Sequence, residues 1–586
     1  MSYRDYDAGE WRTVSWSEFA RKVETVSKAL LAIGANVGEN IGVFSQNKPE
    51  TLYTSFGGFG ARVTTVPMYA TSSAAQVQYI VHDAGIRFIF VGEQEQYDTA
   101  FSILPACHSI EHIVIFDKAV VRNKLDRVSM SFDEFLALGE GDAHAPELAK
   151  RLGEACDTDY AHILYTSGTT GESKGVVFTY SMFAAAVRGH EGVLPISEDD
   201  VFMCFLPLSH IFELGWTYIG LSVGVHVAVN LRPQDVLQSL REVHPTCMSA
   251  VPRFWEKVYS GVMERIDSGS ALRRRLMTDA LAVSENYVVN YKSKGLRAPL
   301  GLRMKYAMFE NTIIKLLKST LGLERGNIFP TAGATISPVI EKFVHAAGIH
   351  MVKGYGLTES TATVSCDHMG MPFSIGSVGR LLPGVEVKIS DEGEVLLKGA
   401  TITPGYYKKE EATRQAFTDD GWFKTGDAGY MKDGELYLTD RIKDLFKTSN
   451  GKYIAPQFIE SKLVVDRYIE QVVVVANERR FVSALIVPNY KLIEDYARSI
   501  GLLFGNRAML CRDDRIIALF KERLETLQQE FASYERIKAF ALLPDPLTIE
   551  GGELTNTIKV KRPFVYKKYE ALINEMYEQA ALQTPV

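Results

Sequence analysis

Cysteine is scarce in this chain: six in 586 residues, namely Cys107, Cys156, Cys204, Cys247, Cys366 and Cys511. No two of them stand in C-x-x-C or zinc-type spacing, which excludes a disulfide scaffold or zinc module and fits reduced thiols in a cytosolic protein. The opening Met1-Ser-Tyr-Arg-Asp-Tyr-Asp7 holds no apolar core, so no signal peptide is expected there. Long apolar runs are missing too. The longest without a charge, Leu214 to Val229, falls short of the about 20 residues a membrane span needs and is broken by Gly215, Gly220 and Gly224. It reads as a buried strand or helix beside a ligand cavity, with peripheral membrane contact left open. Nor is there an excess of positive charge. At a net −7 the chain has no general pull on nucleic acid, and an anionic substrate must be held by local groups.

What is present is ordinary for a soluble globular protein: 46% hydrophobic and 23% charged residues. A single core is implausible at this length, so at least two domains are expected. In the first half, helical and strand patterns alternate. Phe19, Val23, Val26, Leu30 and Ile33 recur at helical spacing behind Ser15, and Ile41 to Phe44 follows as a buried strand. A helix through Tyr79 to Ala84 with Gly85 as its cap, then strands at Arg87 to Val91 and His112 to Phe116, continue the alternation. That pattern predicts doubly wound α/β layers with parallel sheets.

From about Gly376 the texture changes to short runs separated by turns, at Val385 to Ile389, Glu394 to Lys398 and Glu435 to Leu438. A small β-barrel or antiparallel sheet is expected over 376–440. Beyond Asp440-Arg441 lies a compact α+β stretch, with a turn at Asn450-Gly451, a helix near Pro456 to Leu463 and strands at Gln471 to Ala476 and Phe481 to Val487. The chain thus divides into an N-terminal domain, 1–440, and a small C-terminal α+β domain, 441–586. The basic, helix-rich segment from Pro252 to Leu321 has no role that the sequence reveals, and there are no internal repeats.

The strongest local signal is Tyr165-Thr-Ser-Gly-Thr-Thr-Gly-Glu-Ser-Lys-Gly175, which follows the apolar strand Ala161 to Leu164. Small hydroxyl residues and glycines let backbone N–H groups approach a polyphosphate, and Lys174 adds charge. It is no Walker A loop, since G-x-x-x-x-G-K-[ST] does not fit. Val176-Val-Phe-Thr179 reads as a strand, so the loop lies between two strands with no helix dipole behind it. In isolation such a loop could be flexible surface.

This segment resembles the signature loop of the adenylate-forming superfamily, which contains acyl-CoA synthetases, firefly luciferase and peptide-synthetase adenylation domains. Further motifs follow in the expected order: Leu206-Pro-Leu-Ser-His210, Thr331-Ala-Gly-Ala334, Gly354-Tyr-Gly-Leu-Thr-Glu359, Lys424-Thr-Gly-Asp427, Asp440-Arg-Ile-Lys443 and Leu554-Thr-Asn-Thr-Ile-Lys559. The resemblance implies a large N-terminal domain of doubly wound subdomains plus a small barrel, followed by a mobile C-terminal domain.

It also implies roles. Thr166, Ser167, Gly168, Thr169, Thr170, Gly171 and Lys174 would cradle ATP phosphates, with Gly333 and Ala334 beside the nucleotide. Tyr355 offers a ring for adenine, Gly356 backbone room, and Thr358 a bond to the α-phosphate. Glu359, with Thr166, would hold Mg²⁺, a hard cation suited to oxygen donors. Asp427 would accept the ribose hydroxyls and Arg441 would approach them. Lys559 is the expected catalytic lysine, neutralising charge as a carboxylate attacks phosphate. His210 would border the acyl pocket. Asp440 and Lys443 mark the hinge between two working orientations. Taken singly, a core tyrosine, a turn aspartate, a satisfied core histidine or the solvated basic patch Lys559, Lys561, Arg562 would be the plainer readings. The superfamily usually carries glycine where this chain has Ile558. The other eleven histidines show no ligand spacing, so no structural metal is expected.

The implied reaction converts a carboxylate and ATP to acyl-AMP and pyrophosphate, after which coenzyme A displaces AMP. Val251-Pro-Arg-Phe-Trp-Glu256 and Lys447 to Pro456 look like long-chain acyl-CoA synthetases, and the apolar run from Ile211 could line an alkyl tunnel. A fatty acyl-AMP ligase serving a carrier protein is the close rival, and medium-chain or aryl acids are alternative substrates. A luciferase-like oxygenase and a non-catalytic sensor are the more distant ones.

Overall fold

The computed structural model describes residues 1–6, 8–166, 173–441, 446–447, 453–477, 479–555 and 559–583. Two short strands, β1 (Ser2–Asp5) and β2 (Glu10–Thr13), pair antiparallel before the first helix. Helix α1 (Trp16–Ala32) begins where the Ser15 side chain accepts the Glu18 N–H, and it buries Phe19, Val26 and Leu30. Strand and helix then alternate through β3 (Asn40–Phe44), α2 (Pro49–Ala61), β4 (Thr64–Met68), α3 (Ala74–Ala84), β5 (Phe88–Val91), β6 (His112–Ile115) and β7 (Ser129–Ser131). Gly85, at φ +67°, ends α3 in the left-handed conformation. The hairpin β8 (Tyr160–Thr166) and β9 (Lys174–Thr179) completes a seven-stranded sheet in the order β7-β6-β5-β3-β4-β8-β9. Every neighbouring pair in it is parallel except β8 with β9. β3, β4 and β5 are buried at every position, as a sheet covered on both faces demands.

The second layer contains α4 (Tyr180–His190), β10 (Val201–Cys204), α5 (Ile211–Val223), β11 (His226–Val229) and β12 (Cys247–Met248). Its sheet runs β12-β10-β11-β1-β2, so the initial hairpin docks parallel on β11 and extends this sheet. The apolar run from Leu214 is therefore a helix and then a strand, and the helix lines a cavity.

The basic stretch after Pro252 folds as α6 (Pro252–Asp267), α7 (Ala271–Asn290) and α8 (Leu300–Phe309), followed by one wide π turn at Glu310–Ile314. Strands β13 (Phe329–Thr331), β14 (Met351–Tyr355), β15 (Ser365–Cys366) and β16 (Arg380–Leu381) form a third sheet in that order. Within 376–440, β17 (Val385–Ile389), β18 (Glu394–Gly399), β19 (Phe423–Lys432) and β20 (Glu435–Arg441) pair as an antiparallel meander. Its tight turn carries Asp433 and Gly434, both at positive φ, which is the conformation a right-twisted two-residue hairpin prefers.

Past β20 come the paired strands β21 (Phe446–Lys447) and β22 (Tyr453–Ile454), then α9 (Pro456–Leu463). A sheet of β23 (Ile469–Val475), β24 (Val482–Pro488) and β25 (Ile537–Leu542) follows. Their core, with Val473, Ile486 and Phe520 at its centre, is a cluster of its own. This C-terminal part rests on α6 through Val465, which packs against the cluster containing Phe254 and Trp255. Three ion pairs reinforce the contact: Arg467–Asp267 at 3.2 Å, Lys491–Glu264 at 3.0 Å and Arg253–Glu470 at 3.7 Å. Among the described residues, no helix is long and apolar enough to cross a membrane. All six cysteines are free, and only Cys156 is exposed.

Candidate active site

The site forms where the ends of β8, β9, β14 and β19 meet the start of α5. Tyr355 ends β14, and Asp427 lies on β19. The Tyr355 hydroxyl donates to Asp427 Oδ2 at 2.6 Å, while Arg441 Nε lies 3.3 Å from Oδ1 of the same carboxylate. Both Tyr355 and Asp427 are buried, at 7% and 6% exposure. Burial and the neighbouring carboxylate push the Tyr355 phenol up, so it stays a donor at any working pH. Three residues drawn from three separate motifs thus share one hydrogen-bonded unit.

Gly356 has a different reason from the one its motif suggested. A Cβ there would fall 1.5 Å from the Ala362 carbonyl oxygen, so the vacant space is filled by the chain itself. The segment it touches is bent, with Thr361 and Ala362 at φ +51° and +76°. Two consecutive left-handed non-glycine residues are costly and collect at functional sites. Thr358 and Glu359 form the single turn just before that bend.

Glu359 is half-buried and accepts the Tyr406 hydroxyl at 2.9 Å; burial raises its carboxyl above the ordinary range. Lys174 places its ammonium 4.9 Å from the centre of the same Tyr406 ring, and the Thr166 hydroxyl donates to the Lys174 carbonyl at 3.5 Å. Tyr406 therefore joins the loop lysine to the candidate metal ligand. It escaped the sequence reading because nothing in Pro404-Gly-Tyr-Tyr407 distinguishes it from a turn. Gly333, at φ +93°, and Ala334 sit on an exposed turn after β13. Ser167, Gly168, Thr169, Thr170 and Gly171 lie outside the described residues, as does Lys443; Asp440 lies in β20, where it pairs with Ala428.

His210 caps α5: its Nδ1 accepts the Phe212 N–H at 3.2 Å, which leaves Nε2 as the protonated nitrogen. Burial first, and then the positive charge of Lys559, push its pKa down to about 4. Lys559 therefore approaches the start of α5 from the C-terminal part. It is exposed, and two hydrogen bonds tie it to Thr555: Thr555 N–H donates to the Lys559 carbonyl at 2.8 Å, and Lys559 N–H to the Thr555 hydroxyl at 3.0 Å.

Behind Tyr355 a narrow cavity of about 40 Å³ runs between α4 and α5. Phe212, Gly215, Trp216 and Ile219 form one face of α5 along it, opposite Ala186 of α4 and Cys366 of β15. The described lining holds no lysine, arginine, aspartate or glutamate, and its one histidine, His190, is kept neutral by burial with Nδ1 donating to the Ala186 carbonyl. Tyr218 of the same wall is held by His162, whose Nε2 lies 2.8 Å from the tyrosine oxygen. On the far side of α5, fully buried Glu213 accepts the Ser249 hydroxyl at 2.6 Å and is pushed up to about 7 by burial. The lining suits apolar groups, and at this volume its side chains must part to admit an alkyl chain. A carboxylate does not suit it and would have to remain outside.

The chain belongs to the AMP-binding enzyme family: the family profile described as AMP-binding enzyme matches residues 2–407, and that of the AMP-binding enzyme C-terminal domain matches residues 443–581. This is the adenylate-forming superfamily, and its curated relatives extend over nearly the whole chain. A protein named long-chain-fatty-acid–CoA ligase FadD15 from Mycobacterium bovis is 30% identical over 97% of this chain and 93% of its own. Long chain acyl-CoA synthetase 7, peroxisomal, of Arabidopsis thaliana is 29% identical over 99% of this chain and 84% of its own. Among solved structures, the A domain of a carboxylic acid reductase from Segniliparus rugosus, in complex with AMP and a co-purified carboxylic acid, superposes with a TM-score of 0.75. It is 21% identical and covers 99% of this chain and 90% of that one, which shows the shared fold.

Proposed function

We propose that this chain activates a long-chain fatty acid with ATP and transfers the acyl group to coenzyme A, releasing AMP and pyrophosphate. What supports the reading is a juxtaposition: an uncharged apolar cavity lies beside Tyr355 of the Tyr355–Asp427–Arg441 unit, and the charge of Lys559 acts on His210 at the start of the helix that lines it. Full-length similarity to proteins named as long-chain acyl-CoA ligases supports the same class.

In the first step a carboxylate oxygen bonds to the α-phosphorus of ATP and the bond to the β-phosphate bridging oxygen breaks, so that pyrophosphate leaves. Asp427 and Arg441 orient the ribose, Tyr355 holds Asp427 in place, and Lys559 meets the negative charge that gathers between carboxylate and phosphate. Thr166 to Gly171 and Lys174 take the phosphates, and Gly333 and Ala334 border the nucleotide. The donor set fits Mg²⁺: one half-buried carboxylate, Glu359, with the Thr166 hydroxyl nearby, and no group of three or more acidic, histidine or cysteine ligands among the described residues. Mg²⁺ binds in this manner, through one or two carboxylates plus substrate phosphates, and when bound it supplies charge neutralisation. In the second step the thiol sulfur of coenzyme A bonds to the acyl carbon, AMP departs with its phosphate oxygen, and the thiol proton passes to water. Rotation about Asp440 to Lys443 would exchange this orientation, with the charge of Lys559 acting on His210, for one that admits the thiol.

The purified chain is incubated with ATP, Mg²⁺ and palmitate, with and without coenzyme A, and AMP and pyrophosphate are followed. Multiple turnovers that need coenzyme A support the proposal, and Lys559→Ala should lower pyrophosphate release about 10²- to 10³-fold. Stoichiometric pyrophosphate without thioester would instead indicate an acyl-AMP ligase. Activity confined to shorter or aromatic acids would overturn the chain-length assignment.

A further inference from the structure

Helix α8 presents an outward face that the proposed reaction does not use. No residue of this helix is buried. Its inner side carries Leu302, Tyr306 and Phe309, all half-buried, and Tyr306 stacks on Tyr287 of α7 with ring centres 4.1 Å apart and planes 20° from parallel. On the opposite side stand Leu300, Met304 and Met308, 68%, 65% and 54% exposed. Spaced four residues apart, they form a continuous apolar stripe on an α-helix. Three adjacent large apolar side chains left in water on one helix face have no structural purpose in a monomer.

The charges around that stripe are of one sign. Arg303 and Lys305 flank it on its two sides, and Lys292, Lys294 and Arg297 precede it in the turn; all five are exposed. Between Glu285 and Glu310 there is no acidic residue at all, in a chain whose net charge is −7. Basic flanks beside an apolar face are what an anionic lipid surface recognises: apolar side chains enter the acyl boundary while cations remain among the headgroups. The segment also connects to the cavity. The Phe373 N–H donates to the Ser293 carbonyl at 2.8 Å, and the chain from Phe373 runs back to Cys366 on the cavity wall.

We propose that Leu300, Met304 and Met308, with Arg303 and Lys305 on either side, dock this protein in the plane of an anionic membrane surface. The surface is defined by its own residues; only its purpose, access to a membrane-partitioned acid, rests on the reaction proposed above.

The test is flotation of the full chain with vesicles of phosphatidylcholine, with and without phosphatidylglycerol. Wild type should float with the anionic vesicles and be released by salt. Met304→Asp/Met308→Asp should abolish binding, and Arg303→Ala/Lys305→Ala should lower the partition coefficient about 30-fold. These side chains are exposed, so melting temperature should not change in either variant. No binding of wild type to the anionic vesicles, or equal binding by both variants, overturns the proposal. So does a wild-type dimer that Met304→Asp/Met308→Asp makes monomeric without any effect on flotation, because the stripe would then be covered by a second copy. Thioester formation from palmitate held below its solubility limit, without vesicles, reads the reaction separately: its absence would count against the proposed function, leaving the flotation result to decide the surface.

Discussion

Tyr355 donates its hydroxyl to Asp427 across 72 positions of sequence, at 2.6 Å and out of contact with solvent. Asp427 takes Arg441 on its other oxygen, so the tyrosine fixes a carboxylate whose partner comes from the boundary with the C-terminal part. A hydrogen bond to a charged group contributes about 1.5–3 kcal/mol. Tyr355→Phe should therefore raise KM for ATP roughly 10- to 100-fold with a smaller change in kcat, and Asp427→Ala should raise it further. Initial rates at saturating palmitate measure both. A rise in KM for the acid, with KM for ATP unchanged, would make Tyr355 a wall of the cavity only.

His162 gives a pH dependence of defined sign. It is fully buried between Thr65, whose hydroxyl lies 2.5 Å from Nδ1, and Tyr218, with Phe59 and Phe183 against its ring. Burial pushes its pKa down from 6.5 to about 3. The unfolded chain thus takes up the proton first, and the contribution of His162, complete above pH 6.5, is lost as pH falls toward 3. Glu213 and Asp367, both pushed up to about 7 by burial, act in the opposite direction and lose stability as pH rises through that value. His162→Gln keeps polar groups for both neighbours. Between pH 7 and pH 5 it should lose about 2 kcal/mol less of its unfolding free energy than wild type does, as read from urea midpoints. Identical losses would show that the imidazole does not titrate with unfolding.

Much of this architecture is written in local pattern. The helix at Pro456–Leu463 and the strand at Val385–Ile389 have the ends expected of them, because caps and turns act on their immediate neighbours. The superfamily motifs mark Tyr355 and Asp427 separately, yet no spacing rule announces the bond between them. Tyr406 was invisible for the same reason: its contact with Glu359 spans 47 positions. The β1–β2 hairpin escaped notice because four-residue strands have little periodicity and β1 finds its partner at β11, more than two hundred residues on. The π turn at Glu310–Ile314 falls inside what reads as continuous helix. The cavity could be read on α5 alone, since its other walls, α4 and the bend at Thr361-Ala362, are fixed by tertiary packing.

The segment from Pro252 also acquires a role. α6 carries Asp267, Glu264 and Arg253 to Arg467, Lys491 and Glu470 of the C-terminal part, in the same arrangement that brings Lys559 near His210. Exposed pairs are individually weak and salt-screened. Arg467→Asp should slow ATP–pyrophosphate exchange about two- to five-fold at low salt, and the added Asp267→Arg should restore it. At high salt the single variant and wild type should converge. A deficit that persists in salt, or resists the charge swap, would mean that the pairs do not hold this orientation.

Gly215 offers the sharpest test of what the cavity holds. It lies on the α5 face that lines the void, and a Cβ there would meet only Ala362 Cβ, at 3.6 Å, an ordinary contact. The first carbon of a Gly215→Leu side chain therefore needs no backbone shift. Leucine also favours a helix more than glycine does, by about 1 kcal/mol, which offsets part of the cost of packing its outer carbons; the melting temperature is measured beside the kinetics. The added carbons occupy space that the distal part of an alkyl chain would fill. Each displaced methylene forfeits about 0.8 kcal/mol, so excluding three lowers kcat/KM for palmitate about 50-fold. Butyrate, too short to reach that depth, should change little, and the ratio of the two acids therefore isolates the cavity from the chemistry. Equal loss on both would place the acyl chain elsewhere, because only a chain threading past α5 can feel a side chain at position 215 according to its length.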